Sequence, residues 1–185
     1  VEEAAAELYA AYAAYGAKVT TATPMCFEHG ASAPAAGRRL RIGYSSPDFR
    51  EHACRHFIEP ILRHHDRDAF ELFAYAHVRD ADAHTERFKT LFDHWVDVLK
   101  MTDEEMARRV RDDGIDVLVD LAGHSAGNRL LAFAMRPAPV AVTYLGYAYT
   151  TGLTQIDHIL GDDDLTPPGC EPYFSENIWR LPAPS

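Results

Sequence analysis

Residues 115–121 read Ile-Asp-Val-Leu-Val-Asp-Leu, a short run dominated by Val, Leu and Ile that predicts a strand buried inside a sheet. A helix is predicted just before it, because Thr102 and Glu105 form a capping box and Gly114 follows the last helical position. Another short helix is predicted after it, over residues 128–135. A buried strand between two helices is the repeating unit of a parallel α/β sheet.

The same alternation extends in both directions from this unit. Strands are predicted at residues 40–45, 70–76, 95–98 and 140–145, with two shorter candidates at 157–160 and 177–180, and helices at 54–65 and 83–93. Strands that are joined by helices pair in parallel, and the helices cover both faces. The sequence therefore predicts an α/β fold, a Rossmann-like parallel sheet with helices on both faces.

An Ala-rich helix is predicted ahead of the sheet, over residues 1–16, with Gly16 as its expected end. Its apolar face consists of residues at three- and four-residue steps: Leu8, Tyr9, Tyr12 and Tyr15. Residues 20–39 show little hydrophobic pattern, which predicts a linker. We expect an N-terminal helix with linker over residues 1–37 and a sheet domain over 38–185. Because the sequence has no initiator Met and stops in a Pro-rich segment, we expect further chain on both sides.

Charge and cysteine content exclude several classes of protein. With 18 Lys plus Arg against 28 Asp plus Glu, the formal net charge is -10, and the overall field repels nucleic acid and anionic membranes. No segment approaches the roughly 20 apolar residues of a membrane-spanning helix. The three cysteines are widely spaced and form no CxxC pair. They predict neither a disulfide framework nor a zinc site, as is typical of a cytoplasmic protein.

The loops after the strands hold the candidate site, because ligands of open parallel sheets bind beyond the carboxyl ends of the strands. The loop over residues 122–129 has small residues and leads into a helix, where backbone N–H groups attract anions. It is neither a GxGxxG nor a Walker loop, and an ordinary strand-to-helix turn is the alternative. The loop over residues 145–152 carries hydroxyls suited to a sugar or a phosphate, and an aromatic packing turn is the alternative there.

Ten histidines supply candidate general bases for chemistry near neutral pH. His52, His94 and His124 lie at predicted strand edges, where we expect them to converge. Three others share one predicted helix and are interpreted as surface or packing residues: His56, His64 and His65. Residues 162–164 are all Asp and resemble the DxD motif with which many sugar-nucleotide enzymes hold a divalent ion. An acidic turn after a strand is the favoured interpretation.

Three motifs follow one another along the sheet domain: LRIGYSSPDFREH at residues 40–52, RPAPV at 136–140 and LGYAYTTG at 145–152. From about Arg38 to its end, the chain resembles the catalytic region of protein O-GlcNAc transferases. That family includes bacterial enzymes and the plant Spindly-type O-fucosyltransferases.

The resemblance implies the N-terminal lobe of a GT-B fold, with a second Rossmann-like lobe and tetratricopeptide repeats elsewhere in the same protein. It implies inverting transfer of N-acetylglucosamine from UDP-GlcNAc to Ser or Thr hydroxyls of a protein acceptor, with no cofactor and no metal. Most contacts to the nucleotide would come from the second lobe, and this lobe would serve the acceptor side. Two alternatives remain: a GT-B enzyme with another donor such as GDP-fucose, and a non-catalytic module that binds a peptide or a partner.

Matched position by position, the resemblance implies roles for nine residues. His52 and His94 would be catalytic, with His52 acting as a base or as a group that orients the sugar. Contacts to substrate are implied for His124, Gly127, Arg129, Leu145, Gly146, Tyr147 and Thr151. Animal members usually have Tyr at the position of His124, and Pro-Gly in place of Ala148 and Tyr149. These departures concern acceptor preference and donor sugar rather than the fold.

Overall fold

Strands and helices alternate along the chain in the computed structural model, which describes residues 2–30 and 37–182. The strands are β1 (Leu40–Ser46), β2 (Phe70–Ala76), β3 (His94–Asp97), β4 (Val117–Asp120), β5 (Val140–Tyr144), β6 (His158–Gly161) and β7 (Asn177–Arg180). The helices are α1 (Glu2–Ala22), α2 (Arg55–His64), α3 (Ala83–Lys89), α4 (Asp103–Asp112) and α5 (Leu130–Ala134), and a 3-10 turn covers Glu171–Tyr173.

The strands form one parallel sheet in the order β3-β2-β1-β4-β5-β6-β7. The chain enters at β1, winds outward to β3, and then returns to the other side of β1 at β4. The loops after β1 and β4 therefore lead away in opposite directions and leave a crevice between them. The register places Ser45 of β1 opposite Asp120 of β4, so the two strands end at nearly the same level. The predicted fold class is confirmed.

Helices cover both faces of the sheet, as the alternation of side chains along β2 shows. Leu72 and Ala74 belong to an apolar cluster with residues of α2 and α3, such as Leu62. Phe73 and Tyr75 point to the other face, where they join a cluster with residues of α1, α4 and α5. Each helix therefore contributes one apolar side to a core that the sheet divides in two.

The N-terminal helix does not end at Gly16, as the sequence analysis expected, but continues to Ala22. Gly16 is buried against the loop after β5, and a Cβ atom there would overlap the carbonyl oxygen of Gly152. Val19, one turn later, is buried in the core next to α5. The glycine therefore serves a close approach of two backbone segments rather than the end of the helix.

The segment after α1 continues along the sheet domain. The N–H of Phe27 donates to the carbonyl of Met135 at 2.8 Å, and the His29 ring donates to the carbonyl of Arg136 at 2.7 Å. Residues 31–36 of the predicted linker lie outside the described residues. Among the helices that the structure describes, none combines the length and apolar character needed to cross a bilayer.

The packing of Gly16 yields a stability prediction. Gly→Ala inside an exposed helix normally stabilises by about 1 kcal/mol through helix propensity. At Gly16 the added methyl overlaps the Gly152 carbonyl, so we expect Gly16→Ala to lower the free energy of unfolding by about 2 kcal/mol. Urea unfolding of the chain followed by tryptophan fluorescence measures the change. Ala14→Ser, an equally small change at an exposed position of α1, is the control. A stabilised Gly16→Ala chain would show that α1 does not pack as described.

Candidate active-site cleft

A cleft of about 220 Å³ opens beyond the carboxyl ends of β1, β2 and β4, where the winding of the sheet reverses. This switch-point cleft is lined by Pro47, Asp48, Arg50, His77, Arg79, Asp80, Leu99, Ala126 and Gly127. The lining mixes polar and apolar residues and comes from the loops after four different strands. Open α/β sheets bind their ligands at this place, so the cleft is the candidate active site.

The loop after β1 is anchored by Phe49, which is fully buried among Phe88, Phe92 and Trp95 with ring centroids 5.2–5.7 Å apart. The Ser46 hydroxyl accepts the N–H of Asp48 at 2.9 Å and closes the turn after the strand. With Phe49 fixed in the core, its neighbours on either side are held at the mouth of the cleft.

His52 lies on this loop, with its side chain 39% exposed. Its Nδ1 accepts the backbone N–H of Cys54 at 3.3 Å, whereas Oδ2 of Asp48 is 3.7 Å away, beyond hydrogen-bonding distance. In the neutral ring, an accepting Nδ1 requires that Nε2 carries the proton. The geometry therefore presents an N–H donor, rather than a basic nitrogen, at Nε2.

Asp120, at the end of β4, is a buried carboxylate that the sequence analysis did not single out. It accepts the N–H groups of Ala122 at 3.1 Å and Gly123 at 2.8 Å, and the Thr143 hydroxyl at 2.9 Å. Burial raises the pKa of Asp120, and these hydrogen bonds act in the opposite direction. The carboxylate joins β4, β5 and the start of the next loop. The only sequence signal was its position as the last acidic residue of an apolar strand.

Gly127 lies in the cleft, where the sequence analysis placed it. Its φ is +81°, and its carbonyl accepts Nδ1–H of His77 at 2.9 Å. A Cβ atom there would lie 3.0 Å from Cβ of Pro47. Gly127 therefore brings the loop after β4 against the loops after β1 and β2 at the wall of the cleft.

Arg129 does not face the cleft, contrary to expectation. Its Nη2 donates to the carbonyls of Met101 at 2.6 Å and Thr102 at 3.2 Å, and its Nε lies 3.2 Å from a carboxylate oxygen of Asp103. The side chain is only 10% exposed. Because its donors are directed to the start of α4, Arg129 ties that helix to α5 and is not placed to bind a substrate in the cleft.

His94 does not lie at the cleft, contrary to expectation. His52, His94 and His124 each have different partners and do not converge. His94 is the first residue of β3 and pairs with Phe73, midway along β2, so it lies below the carboxyl ends of the strands where the cleft opens. Its Nε2–H donates to Glu71 at 2.8 Å, and its ring stacks on Phe73 with centroids 4.2 Å apart. The hydrogen bond from His94 is the main cause that lowers the pKa of Glu71. His94 is a surface packing residue in this lobe.

His124 belongs to an aromatic cluster that seats α1 on the sheet domain. Its Nε2–H donates to the carbonyl of Thr151 at 2.9 Å, and its ring meets Tyr12 at 4.9 Å and Tyr147 at 5.4 Å, centroid to centroid. The hydroxyls of Tyr12 and Tyr147 are hydrogen-bonded, which raises the pKa of Tyr12 to about 12. His124 and Tyr147 are thus joined to the N-terminal helix and do not line the switch-point cleft.

Thr151 is buried, and its hydroxyl is engaged by the protein itself. The hydroxyls of Thr150 and Thr151 both donate to the buried carboxylate of Glu176, and the Thr151 N–H donates to it at 2.8 Å. The expected role of these hydroxyls in holding a sugar or phosphate is not supported by this arrangement. Glu176, distant in sequence, carried no signal that identified it as their partner.

Leu145 and Gly146 form a tight turn at the end of β5. The Gly146 N–H donates to the Tyr144 carbonyl at 2.9 Å, and Leu145 has a φ of +74°, which together define a strained γ-turn. A Cβ atom at Gly146 would overlap the carbonyl oxygen of Leu121. Gly146 was expected to contact substrate, but the space that a Cβ atom would fill is occupied by the protein's own backbone.

The acidic run has the geometry of a turn. Oδ1 of Asp162 accepts the N–H groups of Asp164 at 3.1 Å and Leu165 at 2.7 Å. Asp163 is 77% exposed, with Arg180 at 3.7 Å. These hydrogen bonds form an acidic turn after β6.

A parallel sheet that reverses its winding at a cleft lined by loop side chains defines a Rossmann-like ligand-binding domain. The sequence matches glycosyl transferase family 41 over residues 4–183, and the chain belongs to this family. The matched range includes nearly all of α1 together with the whole sheet.

Relatives of the chain carry names that refer to N-acetylglucosamine transfer. "Probable UDP-N-acetylglucosamine--peptide N-acetylglucosaminyltransferase SPINDLY" of Arabidopsis thaliana is 42% identical over 149 residues, or 78% of this chain and 16% of that protein. "UDP-N-acetylglucosamine--peptide N-acetylglucosaminyltransferase" of Caenorhabditis elegans is 36% identical over 148 residues, or 79% of this chain and 13% of that protein.

A solved structure agrees with these relatives. A mutant O-GlcNAc transferase from Thermobaculum terrenum matches with a TM-score of 0.84 and 40% identity, covering 94% of this chain and 33% of that chain. The resemblance to the O-GlcNAc transferase family is confirmed. The chain spans about a sixth of the length of the Arabidopsis relative and a third of the solved chain.

The turn at Gly146 yields a second stability prediction. Because an added methyl would overlap the Leu121 carbonyl, Gly146→Ala should lower the free energy of unfolding by about 2 kcal/mol. Ala148→Ser adds one atom at an exposed position of the same loop and should change it by less than about 0.5 kcal/mol. Urea unfolding of both variants is the measurement. If the two behave alike, the backbone contact between the loops is absent.

Proposed function

We propose that this chain is the N-terminal catalytic lobe of an inverting glycosyltransferase that moves N-acetylglucosamine from UDP-GlcNAc to Ser or Thr hydroxyls of proteins. The observation that carries the proposal is that His52, in a family 41 chain, lies 3.7 Å from Asp48, which lines the switch-point cleft. The names of the relatives support the donor and the acceptor class. A second lobe and tetratricopeptide repeats of the same protein, acting in the cytoplasm, complete the proposal.

The proposed division of labour follows from the lining of the cleft. Transfer needs a sugar held for in-line attack, a positioned acceptor hydroxyl and donors around the leaving diphosphate. The cations of the cleft lie beside acids: Arg50 is 3.4 Å from Asp48, and Arg79 and Asp80 are neighbours on the lining. Such mixed polar walls suit the amides and hydroxyls of a peptide. We therefore assign the acceptor to this lobe and the diphosphate to the second lobe.

We assign His52 the role of a hydrogen-bond donor through Nε2–H. Its Nδ1 accepts the Cys54 N–H, which supports the tautomer with the proton on Nε2. A general base would instead need Nδ1–H directed at a partner such as Asp48, whose Oδ2 is 3.7 Å away. A donor at this position orients the sugar or the acceptor and leaves removal of the hydroxyl proton to another group.

The central prediction concerns His52 in the whole protein. His52→Ala should lower transfer from UDP-GlcNAc to a protein acceptor at least ~100-fold, the usual contribution of a positioned acid, base or donor. His64→Ala is the matched control, because His64 lies on the exposed side of α2 and its ring contacts the Pro60 carbonyl. Product mass spectrometry with UDP-GlcNAc and GDP-fucose in parallel measures the transfer. Near-normal turnover of folded His52→Ala would refute the site, and transfer of fucose alone would refute the donor.

A second substitution separates the two roles of His52. The amide of His52→Gln keeps a donor but is not a base, so it should recover at least ~10-fold of the activity that His52→Ala loses, as expected for one hydrogen bond of about 1.4 kcal/mol. The kcat of the two variants is the measurement. Equal losses in both variants would favour a general base.

We further propose that transfer needs no metal ion. The support is the geometry of the acidic run, in which Asp162 accepts backbone N–H groups and Asp163 points to solvent beside Arg180. Whole-protein activity should survive EDTA. Asp163→Asn should change it less than about two-fold, because an exposed carboxylate 3.7 Å from its partner Arg180 contributes little. Activity lost in EDTA and restored by Mn²⁺ would contradict this proposal.

A further inference from the structure

We propose that Asp48, His52 and Cys54 form a binding site for Zn²⁺ or a similar thiophilic divalent cation, and that the occupied site inhibits the enzyme. A carboxylate oxygen, an imidazole nitrogen and the thiol sulfur of these residues all lie within 4.8 Å of one another. Within residues 2–30 and 37–182, no other group of three His, Cys, Asp or Glu side chains has its ligand atoms this close together. The spacing of the cysteines in the sequence predicted no zinc site, because this cluster has a single cysteine.

The geometry needs only a small contraction to hold an ion. A tetrahedral zinc ion, with bonds of about 2.0–2.3 Å, places its ligand atoms about 3.3–3.7 Å apart. His52 Nδ1 and Asp48 Oδ2 are already 3.7 Å apart, and His52 and Cys54 are separated by one residue on the same turn. Each ligand would arrive by a side-chain rotation, while Phe49 keeps the backbone of the loop anchored.

The donor set indicates which cations would bind. One sulfur, one nitrogen and one carboxylate oxygen match the ligands of zinc sites, whereas Mg²⁺ and Ca²⁺ prefer oxygen ligands only. Three protein ligands leave a fourth position for water, as in open zinc sites. Cys54 binds such an ion as a thiolate, so binding releases its proton to solvent.

Inhibition follows from the use of His52, and this step rests on the proposed function. An ion on Nδ1 displaces the Cys54 N–H from that nitrogen, turns the ring towards Asp48 and places a positive charge at the mouth of the cleft. The ring is then no longer directed as transfer requires. The site is compatible with metal-independent chemistry, because the ion takes no part in the reaction.

Binding is tested on the whole protein with Co²⁺ as a spectroscopic substitute for Zn²⁺. We expect a thiolate-to-cobalt absorption band that Cys54→Ser removes and Cys170→Ser keeps. Competition with a coloured chelator should show at least ~10-fold weaker Zn²⁺ binding for Cys54→Ser, since even indirect partners of a metal ligand contribute that much. A cobalt spectrum and zinc affinity that are unchanged in Cys54→Ser would overturn the site.

A measurement on the unsubstituted protein guards against a misfolded variant. At about ten times its Kd, Zn²⁺ leaves roughly a tenth of the sites free and should slow alkylation of Cys54 by iodoacetamide ~10-fold, while the exposed Cys26 of the same molecule reacts at its usual rate. Peptide mass spectrometry measures both thiols together, and equal rates with and without Zn²⁺ would overturn the proposal.

The rate of transfer in the presence of Zn²⁺ is the third measurement. Zn²⁺ should inhibit transfer by the native protein reversibly, and Cys54→Ser should be active and resistant. Inhibition that persists in Cys54→Ser would place the inhibitory ion elsewhere. Because the spectroscopic and alkylation results do not depend on turnover, failure of the proposed function is distinguishable from failure of the metal site.

Discussion

The reversal of winding between β1 and β4 is the constraint on which the candidate site depends. Two parallel strands lie side by side, with Ser45 opposite Asp120, but the chain leaves them in opposite directions. The loop after β1 turns back at Ser46 and is anchored by buried Phe49, whereas the loop after β4 is held by the carboxylate of Asp120. Both anchors lie beneath the cleft, so they fix its walls without occupying it.

Close contacts between backbone segments form the other half of this edge of the sheet. Gly16 meets the Gly152 carbonyl, and Gly146 meets the Leu121 carbonyl, in each case where a methyl group would not fit. Gly123 similarly makes room for the side chain of Tyr147. These contacts fill space that sequence reasoning left for a ligand. They join α1 and the loop after β5 to the sheet.

Much of the fold could be predicted because local patterns decide it. The apolar runs identified the strands, and the capping box at Thr102 was confirmed, with its hydroxyl accepting the Glu105 N–H at 3.2 Å. The end of α1 was misjudged because glycine at a helix end and glycine at a tight contact look alike in sequence. What distinguishes them at Gly16 is a partner, Gly152, that lies far away along the chain.

The candidate site was predicted less well, for a related reason. A residue type and a loop position indicate where a side chain starts, but not where it points. Arg129 starts in the loop after β4, yet its guanidinium reaches the carbonyls before α4. His94 was assigned to the cleft edge, but it begins β3 level with Phe73, midway along β2, and its ring turns to Glu71. Asp120 and Glu176 had no distinctive pattern, since their importance comes from burial among donors.

The placement of His52 depends on both local and long-range contacts. Its position depends on the anchored loop after β1, and its tautomer depends on the N–H of Cys54, two residues away. Because Nδ1 is an acceptor there, the tautomer of the neutral ring is set by a backbone contact. The same short separation brings the Cys54 thiol and the Asp48 carboxylate to one side of the ring. Because the contact that sets the tautomer is a backbone N–H, Cys54→Ser keeps it and removes only the thiol from that side of the ring.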